Sequence, residues 1–127
     1  MRLSQSTVWL FRFTFLLSVT AIIYLAFTPN ANPVSGAFND KVNHAIAFFT
    51  LMFLIDFSFP HFGIIWQKWF PIIFFAIGIE IVQSYFPYRQ FSLYDIAADF
   101  IGMLIYILSL PLFKSLPLLK KRWIPSP

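Results

Sequence analysis

Four apolar runs, residues 8–27, 43–59, 69–86 and 93–113, take up most of this 127-residue chain. Each comes close to the ~20 residues that a helix needs to cross a hydrocarbon core of about 30 Å. Proline punctuates them. Pro29 and Pro33 follow the first run, Pro60 ends the second, Pro71 stands in the opening turn of the third and Pro87 ends it. Proline lacks the amide hydrogen a helix interior uses, yet it is accommodated in a first turn or just past an end. Pro111 falls in the last turn of the fourth run and is expected to fray it. The second and third runs are a little short, which bilayer thinning and flanking aromatics accommodate.

Composition excludes the alternative of a water-soluble domain. Charged residues make up 11% of the chain and apolar residues 59%, whereas a soluble domain carries about 25% charged residues to face water. The expected fold is therefore all-α: a single polytopic membrane domain over residues 1–127, built as a four-transmembrane-helix bundle. The first run is longer than a signal-peptide core and no small-x-small cleavage site directly follows it, so a retained helix is expected. The chain has no cysteine, which removes disulfides, zinc–thiolate sites and cysteine nucleophiles. Its net charge of +4 lies mostly beside the apolar runs, a pattern suited to anionic lipid and not to nucleic acid.

The flanking bases set an orientation. With the N-terminus inside, the cytoplasmic side holds Arg2, Arg12, Lys68, Lys114, Lys120, Lys121 and Arg122, and the outer side only Lys41 and Arg89. The positive-inside rule then places both termini in the cytoplasm. Residues 114–127 read as a basic tail whose leucines and Trp123 lie along the inner surface.

This topology collects four of the five acidic residues, Asp40, Glu80, Asp95 and Asp99, at the outer end. Asp40 and His44 are four residues apart, as are Asp95 and Asp99, and Glu80 and Gln83 are three apart, so each pair shares a helix face. Gly102 continues the aspartate stripe and permits close helix approach. A carboxylate facing lipid at this depth is costly, so these faces should point inward. The expected product is an outward-opening polar pocket ringed by Asp40, Lys41, His44, Glu80, Gln83, Arg89, Asp95 and Asp99. Four carboxylates against Lys41, Arg89 and His44 leave three outcomes: one acid keeps its proton, one pairs with a charged His44, or an external cation binds.

The ordered set Asp40-Lys41-x-x-His44, Glu80-x-x-Gln83, then Arg89, Ser92 and Asp95, with Gly102 a fixed distance on, resembles the VanZ-like membrane protein family over residues 38–108. That family usually carries asparagine where this chain has Asp99, so the chain adds a charge. The resemblance implies a bacterial cytoplasmic-membrane protein of the cell envelope. It also raises a role in glycopeptide tolerance, because the name-giving member is associated with low-level resistance to teicoplanin.

Several of these residues have plainer readings. His44 can be a histidine bonded to Asp40, and Asp40 can serve as a helix cap. Ser92-x-x-Asp95 fits a capping box in which Asp95 reaches back, and Arg89 can bridge to Asp95 or anchor the interface. Glu80 and Asp99 lie away from the expected helix ends and are the strongest functional candidates. Asp56 is expected to reach water at the inner interface, and His61 is given no role. Trp9, Trp66, Trp69 and Trp123 read as interface anchors.

Four functions compete on this footing. One is binding or processing of an anionic envelope lipid or lipid-linked wall precursor, held by Lys41 and Arg89. Another is an acid–base or metal-assisted enzyme, with Asp40, His44, Glu80, Asp95 and Asp99 as ligands for a divalent cation. The others are an ion-coupled transporter, presumed oligomeric because four helices are few, and a small scaffold whose polar cluster only locks the helices together.

Overall fold

A computed structural model describes residues 3–29, 37–63 and 66–124, with side chains from 40 onward in the second segment. Four helices follow one another: α1 (Gln5–Phe27), α2 (Ala37–Ser58), α3 (Trp66–Gln83) and α4 (Leu93–Ser115). A 3₁₀ turn, Leu119–Trp123, completes the described chain.

Local chemistry explains most helix limits. Ser4 caps α1, its hydroxyl accepting the Thr7 N–H at 3.1 Å. At the other end α1 stops at Thr28, just ahead of Pro29. Ser92 caps α4 by accepting the Asp95 N–H at 3.2 Å. α2 starts six residues before its apolar run because the polar residues around Asp40 and His44 are themselves helical. Asp40 therefore lies within the first turn of α2 and is not its cap.

α3 is displaced three residues toward the N-terminus relative to the expected 69–86. After Gln83 the chain tightens, with Tyr85 N–H bonded to Val82 O and Phe86 N–H to Gln83 O, both near 3 Å (3.1 and 3.0 Å). Phe86 precedes Pro87, and a pre-proline residue disfavours helical backbone. Pro71 consequently stands inside α3 instead of in its opening turn. The expected fraying at Pro111 does not occur: α4 continues through it to Ser115.

α2 is the central helix, packed most extensively on α4 and next on α1. The core joins Phe48, Leu51, Met52 and Ile55 of α2 to Ile72 and Ala76 of α3 and to Met103 and Tyr106 of α4. α1 is apolar all round and leaves Trp9, Leu10, Phe13, Leu16 and Leu17 exposed, a surface compatible with lipid and not with water. Three of the helices are long and apolar enough to cross a membrane: α1, α4 and the 40–58 stretch of α2. α3, of 18 residues, would extend about 27 Å. Its polar Lys68, Glu80 and Gln83 are buried in the bundle, and beyond Gln67 in its first turn the exposed residues are apolar.

Gly102 fixes how closely α2 and α4 approach. A Cβ built there would collide with the backbone carbonyl of Ala45, within the turn that carries His44. Only a glycine tolerates that contact.

The end formed by the α2 C-terminus departs from expectation. Asp56 does not reach water. Its residue is 8% exposed, and it accepts hydrogen bonds from Lys68, from Tyr106 (2.6 Å) and from Arg122 (2.9 Å). Arg122 also donates to the Asp56 backbone carbonyl at 2.7 Å, and Trp123 packs edge-on to Phe57. Arg122 and Trp123 of the basic tail thus fold back onto the bundle, while Leu116 and Leu118 remain exposed. Arg12, from α1, donates to Ser58 O at 3.0 Å and stacks over Trp9 and Phe59.

Candidate functional site

At the opposite end, α2 and α4 place their paired polar residues face to face. His44 stands seven residues into α2 and Asp99 six into α4, each about 10 Å from its helix start. His44 Nδ1 donates to Asp99 Oδ1 at 2.8 Å, which orients the ring and leaves Nε2 3.8 Å from Asp95 Oδ2. Lys41 pairs with the Asp95 carboxylate and lies 3.5 Å from Asp40 Oδ2. Asp40, Lys41, His44, Asp95 and Asp99 therefore form one charged network, as the shared helix faces predict. Asp99 is 1% exposed and Asp95 7%, so the network lies mostly inside the bundle.

The other three expected residues stand apart from it. Glu80, fully buried, accepts the backbone N–H of Ser92 at 3.0 Å. It fills the place in the α4 cap that the sequence assigns to Asp95, which turns to Lys41 and His44 instead. Because α3 ends at Gln83, Glu80 lies in its last turn and not deep within the helix. Gln83 ties α3 to α1, its Nε2 donating to Ala26 O at 2.9 Å. Arg89 sits in the α3–α4 loop, and none of the five acidic residues, all of them described, is its ion-pair partner. The expected Arg89–Asp95 bridge is absent.

Arg89 lines a cavity of about 440 Å³ between α1, α2 and α3. Its rim is polar, from Asp40, Asn43, His44, Gln83 and Arg89, and its remaining wall is apolar, including Ile22, Ile46, Phe48 and Ile79. Asn43 was not among the expected pocket residues, although it lies three positions after Asp40 and so shares its helix face. His44 lines the cavity, whereas Glu80, Asp95 and Asp99 are not among its lining residues.

Two polar clusters thus occupy opposite ends of the α2–α4 seam. Between them the seam is filled by Phe48, Leu51, Met52 and Met103, each at most 2% exposed. Among the described residues no polar side chain bridges that layer.

No curated protein and no solved structure significantly matches the chain. A family description, VanZ/LLP1, matches residues 3–114, which takes in α1 to α3, α4 up to Lys114 and every residue of the network. The chain is a multi-pass membrane protein belonging to the VanZ/LLP1 family.

Proposed function

We propose that the protein binds the head group of an anionic envelope lipid, such as a phospholipid or a lipid-linked wall precursor, with part of the lipid's hydrocarbon entering the bundle. The observation that carries this reading is the cavity's two-part lining: a polar rim with the guanidinium of Arg89, which has no ion-pair partner among the described residues, continuous with a wall of Ile22, Ile46, Phe48 and Ile79. An amphipathic ligand needs both surfaces, and pockets of this kind fix orientation with a few polar groups. Arg89 offers the planar donor fork suited to phosphate. Lys41, counted with it from sequence, is engaged by Asp95 and holds the network together instead. The distribution of flanking bases favours an outward-facing site in a bacterial cytoplasmic membrane. If the bound lipid is a wall precursor, glycopeptide tolerance would follow from altered access to it.

The test uses the full chain in nanodiscs of neutral lipid, titrated with a fluorescent phosphatidylglycerol and, separately, with a polyprenyl pyrophosphate. Saturable binding that weakens roughly 10-fold or more in Arg89→Ala supports the reading, a loss on the scale of a charge-assisted hydrogen bond. Equal binding by both proteins would remove it.

A second reading, an enzyme acting on the bound head group, draws on the His44–Asp99 pair. An imidazole oriented by a carboxylate and opening on a cavity has the geometry of a general base. Mass spectrometry of the lipid recovered after incubation would distinguish turnover from binding.

A further inference from the structure

Asp95 is a buried carboxylate, 7% exposed, whose close partner is the ammonium of Lys41, with the imidazole of His44 3.8 Å from its other oxygen. Such a group requires a cation beside it. Three side chains from two helices are arranged to hold one. Asp40, His44 and Asp95 each present a ligand atom, and these atoms lie within 4.8 Å of one another. Two atoms bound to one ion at about 2.1 Å are at most about 4.2 Å apart, so side-chain rotations of under an ångström would close the set.

The supporting shell is in place as well. Asp99 takes the Nδ1 hydrogen of His44, the carboxylate–histidine arrangement that fixes a metal-binding imidazole with its other nitrogen free. Asp40 and His44 also line the cavity, so coordination positions not filled by protein would open toward it. The Lys41 ammonium is the present counter-charge, and its side chain is 33% exposed, with a route outward.

We propose that Asp40, His44 and Asp95 form a binding site for a divalent cation of the Mn²⁺ or Zn²⁺ class, which exchanges with the ammonium of Lys41. Two carboxylates and a neutral imidazole balance a divalent charge. The mixed nitrogen and oxygen set favours these ions over Mg²⁺ and Ca²⁺, which take oxygen alone. In combination with the head-group reading, on which only this last step rests, the ion and Arg89 would approach one phosphate from two sides.

The experiment is a titration of the purified full chain with Mn²⁺ alone, following the free ion by electron paramagnetic resonance, with Zn²⁺ as competitor. One saturable site per chain is expected, weakened ~10-fold or more by His44→Ala and Asp95→Asn, and by ~10–100-fold in Asp99→Leu, where the supporting carboxylate is lost. Lys41→Met should bind Mn²⁺ more tightly than the wild type, because the tethered competitor is gone. Absence of saturable binding of either ion by the wild type overturns the site, as does binding indifferent to His44→Ala and Asp95→Asn. If those variants do not fold, Lys41→Met decides: unchanged or weaker affinity in that variant overturns the exchange. Phosphatidylglycerol binding measured with and without EDTA separates the two proposals. Lipid binding in a protein that takes up no metal sinks the ion and spares the head-group reading, and metal binding without lipid preference does the reverse.

Discussion

The carboxylate of Glu80 holds the backbone N–H of Ser92 at 3.0 Å, so the last turn of α3 caps the first turn of α4. An acid that reads from sequence as an intramembrane functional group is, in this respect, a structural joint between two helices. Glu80→Gln retains an amide oxygen for that bond and should change stability by less than ~1 kcal/mol. Glu80→Ala leaves the part-buried Ser92 N–H without its acceptor and should cost about 1–3 kcal/mol. Thermal unfolding in detergent, together with amide exchange at Ser92, measures both. Equal destabilisation by the two variants would mean that the charge, and not the acceptor, matters.

The cluster around Asp56 makes a stronger demand. Removing Asp56 leaves Lys68 (side chain 3% exposed) and Arg122 (7%) without their shared counter-ion. Breaking a buried pair by deleting one partner costs about 3–5 kcal/mol. Asp56→Ala should therefore unfold well below the wild type and release the tail, so that trypsin cuts at Lys120, Lys121 and Arg122 far faster. Tyr106→Phe removes one hydrogen bond, that of the phenol to Asp56, and should cost only about 1 kcal/mol with the tail still protected.

These two clusters were unequally legible in the sequence. Asp40 with His44 and Asp95 with Asp99 could be read because a four-residue spacing fixes a shared face, and acids beneath lipid must face inward. Asp56 is not legible in this way because its partners come from elsewhere: Lys68 from the next helix, and Arg122 from a tail 66 positions further along the chain. Distance from a proline said that Asp56 was near an end, but nothing local said that the end was covered. Tyr106 carried a usable signal, since Asp95, Asp99, Gly102 and Tyr106 follow one another at spacings of four, three and four along a single face of α4. The role of Glu80 depended on where α3 stops. Hydropathy extended the run through Phe86, whereas the pre-proline restriction at Phe86 ends the helix at Gln83.

Lys41 and Asp95 offer a direct measure of how much the network contributes to the fold. Their pair is intermediate in exposure, 33% and 10% at the side chains, so its loss should fall between the ~0–1 kcal/mol of exposed pairs and the ~3–5 kcal/mol of buried ones. Lys41→Ala alone should cost about 1–3 kcal/mol, because Asp95 then keeps only His44 as a cationic neighbour. In the double variant Lys41→Ala with Asp95→Ala, the buried carboxylate that Lys41 served is gone as well and part of the loss should be recovered, while Asp40 still lacks its lysine neighbour. A double-mutant cycle read by chemical denaturation tests this. Strict additivity of the two single effects would show that the two side chains are energetically independent.

Gly102 sets the spacing on which the site depends. The atoms that a Cβ at this position would strike belong to the backbone of Ala45, so no side-chain rotation on α2 can relieve the contact. Gly102→Ala must push α4 away from α2, and overpacking of this kind costs about 1–3 kcal/mol. His44 and Asp99 flank the contact, one residue before Ala45 and three before Gly102, so their 2.8 Å hydrogen bond should lengthen with it. Ala45→Gly cannot rescue the variant, since the carbonyl remains. Gly78 supplies the control: among the described residues nothing lies within 4 Å of a Cβ there, and Gly78→Ala should be neutral or stabilising by up to about 1 kcal/mol through helix propensity. Melting temperatures of the three variants, with the imidazole ¹⁵N signal of His44 as a local probe, check the argument. A Gly102→Ala protein that melts like the wild type with an unshifted His44 signal would show that the two helices are not in contact at this point.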